Sequence, residues 1–255
     1  MAQRLPPLAL AYHSVADRPL RDDPFGLCTS ERRLDRQIRR LLAWGYELVT
    51  FGELAHRVLD DGASGSAALT FDDGFADNLH ALVPLLRAHR ASATVFVVSG
   101  WLGGCHSAPP RSPILTAEEL RTLAAAGVEI GSHTVTHPDL SALDYDEALA
   151  ELATSKHELE GVLDAPVDVV AYPFGNANPI TLAACAGAGY RAACRTSGNG
   201  SWEEPLNMPR QDMDNGATLV GLRLKRNDRY EPLVSTRVGR LPLMALRVAR
   251  RWTRQ

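Results

Sequence analysis

LTFDDGFADN, residues 69–78, is an apolar run that stops at two adjacent carboxylates and a glycine. The segment from Ala67 to Asp72 has the length and the apolar content of a buried strand, and Gly74 supplies the turn that ends it. Asp72 and Asp73 side by side repel each other, so the pairing costs stability unless a cation or a shared proton sits close by. The question is what binds them.

Working outward, short apolar or β-branched runs alternate with longer segments of helical period. Seven runs read as strands: Leu8–Val15, Tyr46–Thr50, Ala67–Asp72, Ala93–Val98, Val128–Ser132, Val167–Ala171 and Tyr190–Arg195. Between them, Ser30 is placed to cap a helix that carries Leu34, Ile38, Leu41 and Leu42 on one face and stops at Gly45. Thr116 is placed to cap a second, with Glu118 and Glu119 in its first turn and Gly127 after its end. A third runs from about Asp144 to Leu163, before Pro166. Repeated βα units of this kind argue for an α/β chain around a parallel sheet or barrel, in which all C-terminal strand ends open on one face.

The polar residues gather at those ends. His13 ends the first strand, Asp72 and Asp73 the third, His133 follows the fifth, and Tyr172 to Gly175 follow the sixth. IGSHTVTHPDL places His133 and His137 four apart, and the β-branched residues between them with Pro138 after them favour a strand end entering a short turn over a helix. Two imidazoles and one carboxylate make a three-ligand set with positions left open, the arrangement of a hydrolytic metal site. One aspartate of the pair would bind the metal while its neighbour stays free as a base for the attacking water. Taken singly, Asp-Asp-Gly is most often a solvated turn, and Tyr-Pro-Phe-Gly makes an ordinary tight turn after a strand equally well. Their shared position after apolar strands carries the functional reading.

TFDDG, SHTVTH and AYPFG, in that order, resemble the polysaccharide deacetylase superfamily over about Leu8 to Met213. The resemblance implies a distorted (β/α) barrel of about seven parallel strands that removes N-acetyl groups from an amino sugar, oligosaccharide or glycoside by attack of a metal-activated water. It implies Asp72 as general base, with Asp73, His133 and His137 holding a divalent metal, for which zinc is the expectation from the donor set. It also implies that Tyr172, Pro173 and Gly175 line the substrate pocket while the backbone amide of Phe174 meets the developing oxyanion.

The chain departs from the family pattern twice. Where many relatives carry an arginine that braces the base, this chain has Ala171. Arg210, in LNMPRQDMDN, is the candidate replacement, with Asp212 as its partner. Many relatives also place an acid histidine late in the domain, but this chain has none after His157. His13 resembles the arrangement of a subset in which that element lies at the N-terminus, which makes it the candidate general acid. His56, His80, His89 and His157 fall in expected helices, and His106 lies in a Gly- and Pro-rich loop that could border the substrate. Two other readings fit the same scaffold: a hydrolase of another linear or cyclic amide, and a non-catalytic carbohydrate-binding relative.

The chain has 255 residues, 45% of them hydrophobic, enough for one large core. Its net charge of −3 gives no field that points to nucleic acid. Four cysteines without CxxC spacing suggest free buried thiols rather than a zinc knuckle or a disulfide framework. No segment reaches membrane-spanning length, and the first residues, interrupted by Pro6 and Pro7, do not form a signal sequence, so the expected location is cytoplasmic. A catalytic barrel over 1–236 is followed by a basic segment, 237–255, that holds Arg237, Arg240, Arg247, Arg250, Arg251 and Arg254. As a helix it would oppose Leu243, Leu246 and Trp252 to arginines, an amphipathic face suited to peripheral membrane contact.

Overall fold

The computed structural model describes residues 5–60, 62–108, 111–196, 200–213 and 221–223. All seven expected runs are strands: β1 (Leu8–Tyr12), β2 (Glu47–Val49), β3 (Ser66–Phe71), β4 (Thr94–Val97), β5 (Glu129–Ser132), β6 (Val169–Ala171) and β7 (Ala192–Cys194). An eighth, β8 (Gln211–Asp212), was not read from the sequence. The pairings are parallel and run in the order β7-β6-β5-β4-β3-β1-β8, with β2 also on β3. β1 lies along β3 from Ala67 to Phe71, so β2, beside Ser66 to Ala68, and β4, beside Thr70 and Phe71, share the opposite edge. The segment from Pro205 to Met213 returns along both ends of this order: Met208 bridges Cys194, and Gln211 and Asp212 pair with Leu10 and Ala11. It thereby joins the last long strand to the first and curls the sheet into a distorted (β/α) barrel.

Side chains alternate across the curl, as the two-residue strand period requires. Leu8, Leu10, Tyr12, Leu69, Phe71, Val95, Val97 and Val170 belong to the larger buried cluster, which also holds the helix faces. Ala9, Ala68, Phe96, Val169, Ala171, Ala192 and Cys194 belong to a second cluster inside the curl. Most of these inner residues are small, which leaves room for the Phe96 ring and, above it, a buried arginine described below.

The longer helices are α1 (Glu31–Ala43), α2 (Phe51–Leu59), α3 (Val83–His89), α4 (Ala117–Ala125), α5 (Tyr145–Leu163) and α6 (Pro179–Gly187). α1 buries Leu34, Ile38 and Leu41, each contributing roughly 1.5–3 kcal/mol of transfer free energy. Leu42, expected on that face, points outward instead, and Ser30 occupies the N-cap position without a side-chain cap bond. The Thr116 cap is present as a reciprocal box with Glu119, and α5 opens on the same device between Asp144 and Glu147. α2 closes the base of the barrel with Phe51, Leu54 and Ala55. Its first amides donate to Thr94 Oγ1 at 2.7 Å and Glu129 Oε2 at 3.0 Å, on the opening residues of β4 and β5. The opposite end, where the strands finish, stays open.

Among the described residues no helix is long and apolar enough to cross a membrane. Cys28, Cys185 and Cys194 are buried free thiols as expected, whereas Cys105 is exposed, because it sits on a surface loop rather than in a strand or helix. The basic segment 237–255 lies outside the described residues, and so does the boundary at 236.

Candidate metal centre

β3 delivers both aspartates. Asp73 and Gly74 take consecutive left-handed conformations, with φ 73° and 75°, which reverses the chain at once and sends the two carboxylates in different directions. An aspartate tolerates this region better than most residues, and a side chain at Gly74 would also press on Val97 at 3.2 Å.

Asp72 turns inward against Arg210, which is fully buried. The guanidinium grips it with both forks, Nη1 to Oδ1 at 2.7 Å and Nη2 to Oδ2 at 2.8 Å. It is itself fixed by Thr70 Oγ1 at 2.8 Å, the Arg195 carbonyl at 3.1 Å and the Phe96 ring, 5.2 Å below. Burial works to raise the Asp72 pKa, and Arg210, followed by His133, outweighs it and holds the carboxyl below its ordinary value. Arg210 thus stands behind the candidate base, hydrogen-bonded to Asp72, while Asp212, the expected partner, bears on it through its charge. The reason is register: Asp212 is placed by pairing with β1, while Arg210 reaches into the barrel from the gap between β7 and β1.

Asp73 points the other way, toward two imidazoles. His133 leaves β5, and its ring is oriented by Nδ1, 2.7 Å from the Ala171 carbonyl, which directs Nε2 at the carboxylate. His137 follows through a turn with positive φ at Thr134 and at His137 itself, so the expected strand end and short turn are found. Glu151 on α5 clamps that turn, accepting from the Val135 amide at 2.9 Å, the Thr136 amide at 3.0 Å and the Thr136 hydroxyl at 2.7 Å. His133 Nε2 and His137 Nε2 each stand 3.6 Å from Asp73 Oδ1. That oxygen is buried and has no hydrogen-bond partner among the described residues.

An orphaned carboxylate oxygen facing two imidazole nitrogens is costly as it stands, and a cation removes the cost. The geometry fits one: donors bound about 2.0–2.2 Å from a tetrahedral ion stand about 3.3–3.6 Å from one another. Asp73, His133 and His137 present ligand atoms that all lie within 4.8 Å of each other. Burial, with His133 as a further cause, pushes the His137 pKa down to about 4, which leaves its imidazole neutral and ready to ligate at neutral pH.

A cavity of about 390 Å³ opens over these groups, and His13, Asp72, Asp73, His133, His137, Tyr172 and Phe174 all line it. Pro173 and Gly175, expected there, do not. They shape the turn that presents Phe174, with Gly175 at φ 68° packed against Thr196 so closely that a side chain would collide. Phe174 itself adopts φ 59°, and its ring, 57% exposed, stands on the rim 4.7 Å from His137. Tyr172 is anchored by donating its hydroxyl to the Leu206 carbonyl at 2.8 Å.

The backbone at His13 is held by the same stretch that carries the aspartates. Asn78 donates to the His13 carbonyl at 3.1 Å, and Asp77 accepts from the Ser14 hydroxyl at 2.6 Å and the Val15 amide at 2.8 Å. Sequence reasoning missed these positioning contacts, Glu151 and the place of His106, whose Nε2 lies 3.3 Å from Asp73 Oδ2. The sequence signal for Asp77 and Asn78 was their place in the quoted stretch, at the end of which they had no assigned use.

The family profile for polysaccharide deacetylase matches residues 60–193, from just before β3 to β7. The chain belongs to the polysaccharide deacetylase family. Among its relatives, Bacillus subtilis YxkH, named for the same family, is 27% identical over 189 residues, 73% of this chain and 63% of that protein. A chitooligosaccharide deacetylase of Bradyrhizobium is 28% identical over 57% of this chain and 63% of its own length. The chain thus spans somewhat less than two thirds of each of these two relatives. Among solved structures, the Streptococcus pyogenes deacetylase PplD superposes with TM-score 0.75 at 23% identity, covering 88% of this chain and 99% of that chain. The de-N-acetylase of Aggregatibacter actinomycetemcomitans gives 0.73 at 19% identity over 86% and 99%. At these identities the two superpositions establish the barrel fold.

Proposed function

We propose that this polysaccharide deacetylase is a metal-dependent hydrolase that removes an N-acetyl group from an amino sugar, an oligosaccharide or a glycoside. The observation that carries the reading is the buried, unpartnered Asp73 Oδ1, equidistant at 3.6 Å from His133 and His137 and adjacent to an aspartate with a different partner. Asp73, His133 and His137 would hold a divalent ion, zinc by its nitrogen and oxygen donors, and when bound the ion supplies a Lewis acid beside the scissile carbonyl.

The remaining steps belong to the chain. Asp72, kept ionised and fixed in orientation by Arg210, accepts a proton from the attacking water. The Phe174 amide donates to the oxygen that gains charge as the carbonyl carbon becomes tetrahedral. His13, on the rim of the same cavity, gives a proton to the departing amine, since expulsion of an unprotonated amide nitrogen is prohibitive. Buried Tyr172 lines the cavity that admits the sugar, and the exposed Phe174 ring stands at its mouth. The four cysteines, all unpaired thiols, accord with action in a reducing compartment such as the cytoplasm.

The test is acetate release from a panel of N-acetylated mono- and oligosaccharides by chelator-stripped protein, before and after metal is added back. Release that returns with zinc supports the proposal. Zinc uptake without acetate release from any member would overturn it, in favour of another amide substrate or a sugar-binding relative.

A further inference from the structure

We propose that His106 is a positioning residue that holds Asp73 to one-oxygen binding of the divalent cation, an inference that rests on the metal-centre reading above. The two oxygens of Asp73 have different surroundings. Oδ1 faces His133 and His137 at 3.6 Å each, while Oδ2 faces His106 Nε2 at 3.3 Å. The carboxylate is almost wholly buried in the wall of the cavity.

His106 is built into its place. Residues 103–106 and 112–115 run beside each other, with Gly103 N donating to the Leu115 carbonyl, Ile114 N to the Gly104 carbonyl and His106 N to the Ser112 carbonyl, each at 2.9 Å. The same residues are sewn to the turn after Asp73: Leu115 N donates to the Gly74 carbonyl and Ala76 N to the Pro113 carbonyl, both at 2.9 Å. Its ring stacks on Phe75 with centroids 5.1 Å apart and meets the edge of Trp101 at the same distance. Trp101 also lies 5.4 Å from His137, so one indole packs against both the ligand and the positioning ring.

The two ring nitrogens have different neighbours. His106 Nδ1 lies 3.1 Å from the Ala108 amide, a donor, and 2.9 Å from the Ala108 carbonyl, an acceptor, so it serves either partner according to the tautomer. Nε2 faces only Oδ2, an acceptor, which favours the form in which Nε2 carries a hydrogen and Nδ1 accepts from the amide. The contact occupies the second oxygen and fixes rotation about the Asp73 Cβ–Cγ bond, leaving Oδ1 turned to the cation. Without it, Oδ2 is a second buried acceptor with no donor, and the carboxylate is free to swing between one- and two-oxygen binding. Outer contacts of this kind typically change metal affinity by about 10–100-fold.

The experiment is zinc titration of the stripped full chain against a chromogenic chelator for wild type, His106→Leu and His106→Gln, with melting of the zinc-free proteins recorded alongside. Leucine fills the space without a donor, and glutamine restores an N–H. The expected result is a loss of zinc affinity of about 10–100-fold in the leucine variant, recovered for the most part by glutamine. In the leucine variant kcat should rise toward wild type with excess zinc. Equal zinc affinity in all three proteins would overturn the role of His106, as would a loss that glutamine does not recover. Wild type that takes up no zinc would instead sink the metal-centre reading itself.

Discussion

At the scale of single residues, the site divides its labour between two adjacent aspartates, and substitutions should separate them. Asp72→Asn leaves Asp73, His133 and His137 intact, so bound zinc is expected to remain while acetate release falls to background. His13→Ala should likewise keep zinc and lose rate, whereas His133→Ala should lose the zinc. Metal analysis beside a turnover assay reads all three, and an active Asp72→Asn protein would contradict the assignment of the base. Arg210 makes a different prediction. Asp72 is buried and ionised against it, so Arg210→Ala strands a charge in the barrel and should cost about 3–5 kcal/mol in urea unfolding. The double variant Arg210→Ala with Asp72→Asn removes that charge and should recover much of the loss. The sequence offered Arg210 only through a gap at Ala171. Which carboxylate it met depended on the path of a strand that could not yet be placed.

At the scale of elements, the strands were legible because their inward and outward faces are both buried, which leaves long apolar runs that stop abruptly at polar ends. The two-residue β8 was not, since Gln211 and Asp212 carry no apolar pattern and become a strand only by lying beside β1. His106 was legible as a loop histidine and no more, because its meeting with Asp73 depends on a fold-back that leaves no periodicity. Glu151 was hidden for the opposite reason: on α5 it reads as one acid among several. Glu151→Ala should loosen the turn between His133 and His137, costing about 1–2 kcal/mol and weakening zinc binding, read by the same chelator competition. At the barrel base, burial raises the pKa of Glu129 above its ordinary 4.5 despite the bonds it accepts from Thr94 and Gly52. Below that value the folded and unfolded chains are both protonated. As pH rises past it, the unfolded chain ionises first, so this contribution to stability is lost until the folded group ionises too. Glu129→Gln keeps an acceptor for Thr94 and Gly52 and removes the titration. The urea midpoint of wild type should therefore decline relative to the variant as pH rises from 4.5 toward neutrality, and parallel curves would count against it.

At the scale of the whole molecule, an ion that binds the folded barrel and not the unfolded chain adds its binding energy to stability. Zinc at about 100 times its dissociation constant contributes about 2.7 kcal/mol. For a chain of this size that is a rise of roughly 5–10 °C in Tm, to be seen by calorimetry and reversed by a chelator. The ligands come from β3 and β5 and their following turns, early in the chain, but the arginine behind Asp72 comes from the return segment that closes the barrel. A nascent chain that has emerged only as far as Glu204 therefore carries every cation-holding side chain and lacks the brace for its base. On the proposed reading, capture of a cation can precede bracing of the base while the chain is still being made.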